Sequence, residues 1–199
     1  GLWAERCPRS GQVARGYAAA RPCFGPGAMT PDAPGSLRRC EAPRLPIALT
    51  MGDACGIGPE IVAKLWRSTH AAGCFVVGDI GVMRRAVALT GGGLAVARIA
   101  SAAGAFAAPA ACVPVLQVDA LASDLIDAPI GQVDARAGQA AAACIEAAVR
   151  LALSGAVGAI VTAPIHKEAL AAAGVPYPGH TEMLQALAPR AAQGVPPPV

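Results

Sequence analysis

From residue 45 onward, short unbroken apolar runs alternate with longer stretches of helical periodicity. The run PIALTM at 46–51, bounded by proline and glycine, predicts a buried strand. CFVVG at 74–78 predicts a second, and 94–99, 113–118 and 157–162 predict three more. Between them lie helical patterns. One runs over 59–70, opened by Pro59, whose missing N–H costs nothing at a first helical position, and by Glu60, which complements the helix dipole. A second covers 82–89 and is stopped by Gly91, Gly92 and Gly93. The longest spans 134–154, where Ala140, Cys144, Ala147, Ala148 and Leu151 recur at helical spacing and Gly155 stands just past the end. Short helices are expected at 166–173, closed by Gly174, and at 182–187. Strands alternating with helices predict an α/β fold: a mainly parallel, doubly wound sheet with helices on both faces.

Residues 1–44 break this pattern. They are rich in arginine, proline, glycine and alanine, poor in acids, and lack a sustained apolar period. They read as a disordered or non-native leader, or as sequence upstream of a start at Met29. A transit peptide is the competing reading, weakened by the scarcity of serines and of an amphipathic helix. Residues 45–199 then form the folded portion. The stretch PRAAQGVPPPV at 189–199 does not resemble a domain end, because a doubly wound sheet would continue with another strand. A half-sheet stopping there leaves a strand edge and an apolar face that invite association.

Composition excludes several partners. Hydrophobic residues make up 54%, but much of that is alanine, and the most apolar stretch, 94–116, is interrupted by Arg98, Gly104, Pro109 and Pro114. No run spans a bilayer. A net charge of +3 and 4% aromatics give no basis for a nucleic-acid partner. The seven cysteines, none at C-x-x-C spacing, fit small buried side chains in a reducing compartment, and the expected location is cytoplasmic.

Candidate chemistry sits in three places. His166 and His180 follow the carboxyl end of the strand expected at 157–162, the edge where open α/β sheets bind ligands. A histidine there also serves simply to organise a loop. His70, at a helix end, reads as a surface cap. In YPGHTE at 177–182, the Pro178–Gly179 turn brings His180 and Thr181 side by side, an imidazole and a hydroxyl able to hold a hydroxyl or carboxylate. Either could instead cap the helix that follows. The glycine-rich loop 52–58 is neither a dinucleotide fingerprint nor a P-loop. It either offers free N–H groups to an anion or simply packs tightly against the sheet.

Taken together, LTMGDACGIGPEI at 49–61, GQVDARAG at 131–138, VTAPIHKEAL at 161–170 and YPGHTE at 177–182 resemble the 4-hydroxythreonine-4-phosphate dehydrogenase family of pyridoxal phosphate biosynthesis. The resemblance covers about 45–199. Ala54 and Cys55 depart from the Pro-Ala usual there. The resemblance implies a fold similar to isocitrate and isopropylmalate dehydrogenases, with NAD (or NADP) as hydride acceptor. It implies a divalent metal such as zinc, magnesium or cobalt, a phosphorylated small-molecule substrate contacted by His180 and Thr181, and a homodimer. It also implies that the metal-binding histidines and the residues gripping the phosphate lie downstream of Val199, so that the chain is a C-terminally truncated copy, inactive alone, with no metal ligand of its own. The alternatives are a sister dehydrogenase of 4-phosphothreonate or 4-phosphoerythronate, and a non-catalytic remnant.

Overall fold

The computed structural model describes residues 44–188, so the expectation for the leader lies outside the described residues. Five strands form one parallel sheet: β1 (Ile47–Thr50), β2 (Cys74–Gly78), β3 (Ala95–Arg98), β4 (Cys112–Gln117) and β5 (Ala159–Thr162). Their order is β3-β4-β2-β1-β5. Ile47 pairs with Cys74 on one side and Ala159 on the other. The helices are α1 (Gly58–Leu65), α2 (Ile80–Leu89), α3 (Ala135–Leu153), α4 (Lys167–Ala172) and α5 (His180–Leu187). The expected doubly wound α/β architecture is therefore present. Right-handed crossovers put α1 and α2 on one face and α3 on the other. In agreement, every residue of central strand β2 is buried.

Local chemistry explains the boundaries. Asp79 caps α2, accepting from the Val82 N–H at 2.8 Å, while Gln117 donates to its second oxygen and accepts from the Ile80 N–H. This cap starts α2 two residues ahead of the expected 82. Asp134 caps α3 through the Arg136 N–H, and Gly155 follows its end at φ 72°. Helix α1 stops at Leu65 rather than near 70. The Arg67 and Ser68 N–H groups turn back to the Lys64 and Leu65 carbonyls, and a 3-10 turn at Thr69–Ala71 follows. His70 lies exposed in that turn, its N–H donating to Ser68 Oγ.

The core has two parts. The larger joins the sheet to α1, α2 and one side of α3, with Phe75, Val76, Val77, Met51 and Met83 fully buried. The smaller joins the other side of α3 to α4 and α5 through Ala142, Ile145, Val149, Leu170 and Met183. Helix α3 is thus buried on two sides, which the single stripe expected from Ala140, Cys144 and Ala148 did not contain. The cysteines at 55, 74, 112 and 144 are free and buried. No described helix is long and apolar enough to cross a membrane.

Candidate active site at the carboxyl edge of the sheet

Strands β1 and β5 are neighbours, yet the chain leaves them in opposite directions. After β1 it turns to α1; after β5 it turns to α4, which packs on α3 across the sheet. Such a divergence opens a crevice at the carboxyl ends. Its floor is closed by three contacts. Thr50 Oγ1, fully buried, accepts from the Ala163 N–H at 3.3 Å. The Asp53 N–H donates to the Pro164 carbonyl at 3.0 Å. Gly52, at φ 75°, lies against that same carbonyl so closely that a Cβ would overlap it.

The glycine-rich loop is packing rather than cradle. The Cys55 N–H donates to Asp53 Oδ1 at 2.8 Å, and the Gly56 N–H donates to the Asp53 carbonyl. The N–H groups of residues 53, 55 and 56 are thereby used, and the anion the loop holds is its own Asp53 carboxylate, only 4% exposed. Glu60 in the first turn of α1 adds a second negative charge. An incoming pyrophosphate would meet both. Burial pushes the Cys55 thiol above its ordinary range, and the carboxylates of Asp53 and Asp134 push it further, against the opposing charges of Arg85 and Arg136.

His166 is exposed at the N-cap of α4 and makes no capping bond. His180 is half-buried and is the first residue of α5; Thr181, beside it, is exposed. The cap position that either might have filled belongs to extended Gly179, which lies next to the Lys167 side chain at the start of α4. Among the described residues neither the His180 ring nor the Thr181 hydroxyl takes a hydrogen bond. Also among the described residues, no group of three His, Cys, Asp or Glu side chains could hold a metal ion. The donor set needed for the divalent ion is not present there, and no chemical step can be derived through it. A concavity of about 350 Å³ lies at the opposite end of the sheet, lined by Trp66, Phe106, Cys74 and Cys112 at the amino ends of β2 and β4, away from the edge where such sheets bind ligands.

Two residues of this edge escaped the sequence reading. Asp53 carried no signal beyond its place in the loop. Arg85 did: it is a charged residue at i+3 from Val82, flanking the buried stripe of Val82, Met83, Ala86 and Val87.

The profile of the family described as pyridoxal phosphate biosynthetic protein PdxA matches residues 70–194. The 4-hydroxythreonine-4-phosphate dehydrogenase of Beijerinckia indica is 48% identical over 141 residues, covering 70% of this chain and 40% of the relative. The D-threonate 4-phosphate dehydrogenase of Pectobacterium atrosepticum is 42% identical over 152 residues, covering 71% and 43%. Among solved structures, the 4-hydroxythreonine-4-phosphate dehydrogenase of Klebsiella pneumoniae superposes with a TM-score of 0.64 at 43% identity, over 72% of this chain and 44% of that one. The chain thus spans less than half the length of these relatives. With the family profile covering most of the chain and the solved fold agreeing over the same region, the chain belongs to the PdxA family of pyridoxal phosphate biosynthetic proteins.

Proposed function

We propose that this chain supplies the His-Thr substrate contact of an NAD- or NADP-dependent dehydrogenase acting on 4-phosphohydroxy-L-threonine in vitamin B6 synthesis. In that reaction the secondary alcohol carbon gives its hydride to the nicotinamide and its hydroxyl loses a proton. The resulting β-keto acid releases CO₂ to leave 3-amino-2-oxopropyl phosphate. The observation that carries the reading is the adjacent pair His180 and Thr181, within the matched segment, next to the start of α4 and beyond the carboxyl end of β5. An imidazole and a hydroxyl so placed can orient a substrate hydroxyl or carboxylate. The metal, the phosphate grip and the homodimer of the complete enzyme belong to the remaining length of the family's fold. A cytoplasmic location accords with the free buried cysteines.

A second substrate, D-threonate 4-phosphate, has specific support. Several relatives at 40–42% identity carry that activity in their names. The test is to assay the gene product at its full natural length with both phosphorylated acids, with NAD and NADP, and with zinc, magnesium or cobalt. NADH formation from 4-phosphohydroxythreonine, lost in His180→Ala, is the expected result. Turnover of D-threonate 4-phosphate alone would move the assignment to the sister activity. Turnover of neither acid would leave a non-catalytic remnant.

A further inference from the structure

We propose that Arg85 is a positioning residue for the carboxyl-edge site: from α2 it fastens the loop after β1 to the segment after β4. Its Nη2 donates to the Ala54 carbonyl at 2.8 Å, inside the glycine-rich loop. Its Nη1 donates to the Ile126 carbonyl at 2.7 Å and the Ala128 carbonyl at 3.4 Å. One planar fork therefore joins the loop after β1 to the 3-10 turn Leu125–Asp127 and the residue that follows it. The Gly131 N–H, donating to the Cys55 carbonyl at 2.7 Å, is the other tie between them. Segment 118–134 needs such ties, because Val118, Leu125 and Ala128 are its only buried residues. Among the described residues no carboxylate lies within ion-pair distance of Arg85. Its partners are carbonyls, and its reach is set by geometry rather than by charge pairing.

The consequence for the site runs through a short series of contacts. Arg85 holds Ala54; the adjacent Asp53 N–H holds the Pro164 carbonyl; Pro164 is two residues before His166, the N-cap of α4. The start of α4 in turn lies against Gly179, immediately before His180. Arg84, one residue away and exposed on the same helix, takes no part. The inference rests on the functional reading above for what the edge binds, but not for the geometry.

The test uses the 199-residue chain in three variants: Arg85→Gln, Arg85→Lys, which keeps the charge and loses the fork, and Arg84→Gln as control. Amide hydrogen exchange is read at 53–56, 126–131 and 140–149, and the imidazole C–H resonances of His166 and His180 are followed by NMR. Both Arg85 variants are expected to speed exchange at 53–56 and 126–131 about tenfold or more, leaving 140–149 unchanged. They are also expected to shift the His166 resonance, with His180 following in smaller measure; Arg84→Gln does neither. Faster exchange with unmoved histidine resonances would reduce Arg85 to a local staple and overturn the proposal. So would equal acceleration in all three regions, or rescue by lysine. None of these readouts involves substrate, so failure of the functional reading would show separately, as absence of turnover in the full-length product.

Discussion

Gly138 and Ala169 meet backbone to backbone: the Cα of Gly138 in α3 lies against the Ala169 carbonyl of α4, and a Cβ at 138 would overlap that carbonyl. This contact lets α4 settle on α3 and sets where the chain after β5 runs. Gly138→Ala is therefore expected to destabilise the fold by about 3 kcal/mol, because backbone rather than a flexible side chain has to move. Urea unfolding of the two proteins measures it. An unchanged midpoint would contradict the backbone contact between Gly138 and Ala169.

Gly52→Ala tests the floor of the crevice. The residue combines φ 75° with direct contact on the Pro164 carbonyl, so substitution adds left-handed strain of about 1–2 kcal/mol to a steric overlap. The expected signature is a loss of stability together with faster exchange of the Asp53 amide. A stable variant with an unchanged Asp53 amide would contradict the contact.

Acid should weaken the chain through Asp134. Its hydrogen bonds and ion pair with Arg136 hold its carboxyl at about 2, below its ordinary value of 3.8. A carboxyl depressed in the folded state contributes stability that is complete above the unfolded value and is lost as pH falls through the folded one. The loss should thus develop between about pH 4 and pH 2. Asp134→Asn should remove that portion of the pH dependence, as read from urea midpoints across the range; an identical slope in both proteins would assign it to another group.

His180→Ala should leave stability within about 0.5 kcal/mol, since alanine suits a first helical position and no described hydrogen bond is lost. In the full-length product the same change should raise KM for the phosphorylated acid. A large drop in melting temperature would assign the ring to packing instead.

Strand β5 has β1 on one side and, among the described residues, no strand on the other; Val161 on it is 50% exposed. Open apolar edges template pairing with further strands. The 199-residue chain is expected to self-associate in analytical ultracentrifugation, and Val161→Lys should reduce the associated fraction. Equal association of both would place the contact elsewhere.

Most of the architecture was legible because each element carries its own punctuation. Asp134 and Gly155 bracket α3, Gly174 follows α4, and the apolar runs at 47–50 and 74–78 admit little but buried strands. What stayed hidden depends on where particular side chains and carbonyls point. The end of α1 at Leu65 is set by Ser68, which turns its own hydroxyl back to the Leu65 carbonyl in competition with the helix. The choice between an anion cradle and a packed turn at 52–58 hinged on where the Asp53 carboxylate points, which periodicity cannot give. Gly138, the fourth residue of α3, costs about 1 kcal/mol against alanine in a helix, and the Ala169 carbonyl that requires it is not visible in the sequence. His180 and Thr181 stood out by their place after β5. That Gly179 would take the cap position in place of His180 or Thr181 follows only from the path between α4 and α5.

Helix α3 touches the sheet on one side, largely through alanines, and the α4–α5 layer on the other, through Ala142, Ile145 and Val149. That makes it a thin shim. The distance from the sheet to the imidazole of His180 is then tuned by residues that never approach a substrate. A methylene or two added at Ala142 would thicken the shim on one side, tilting α5 outward while every group of the carboxyl edge kept its chemistry.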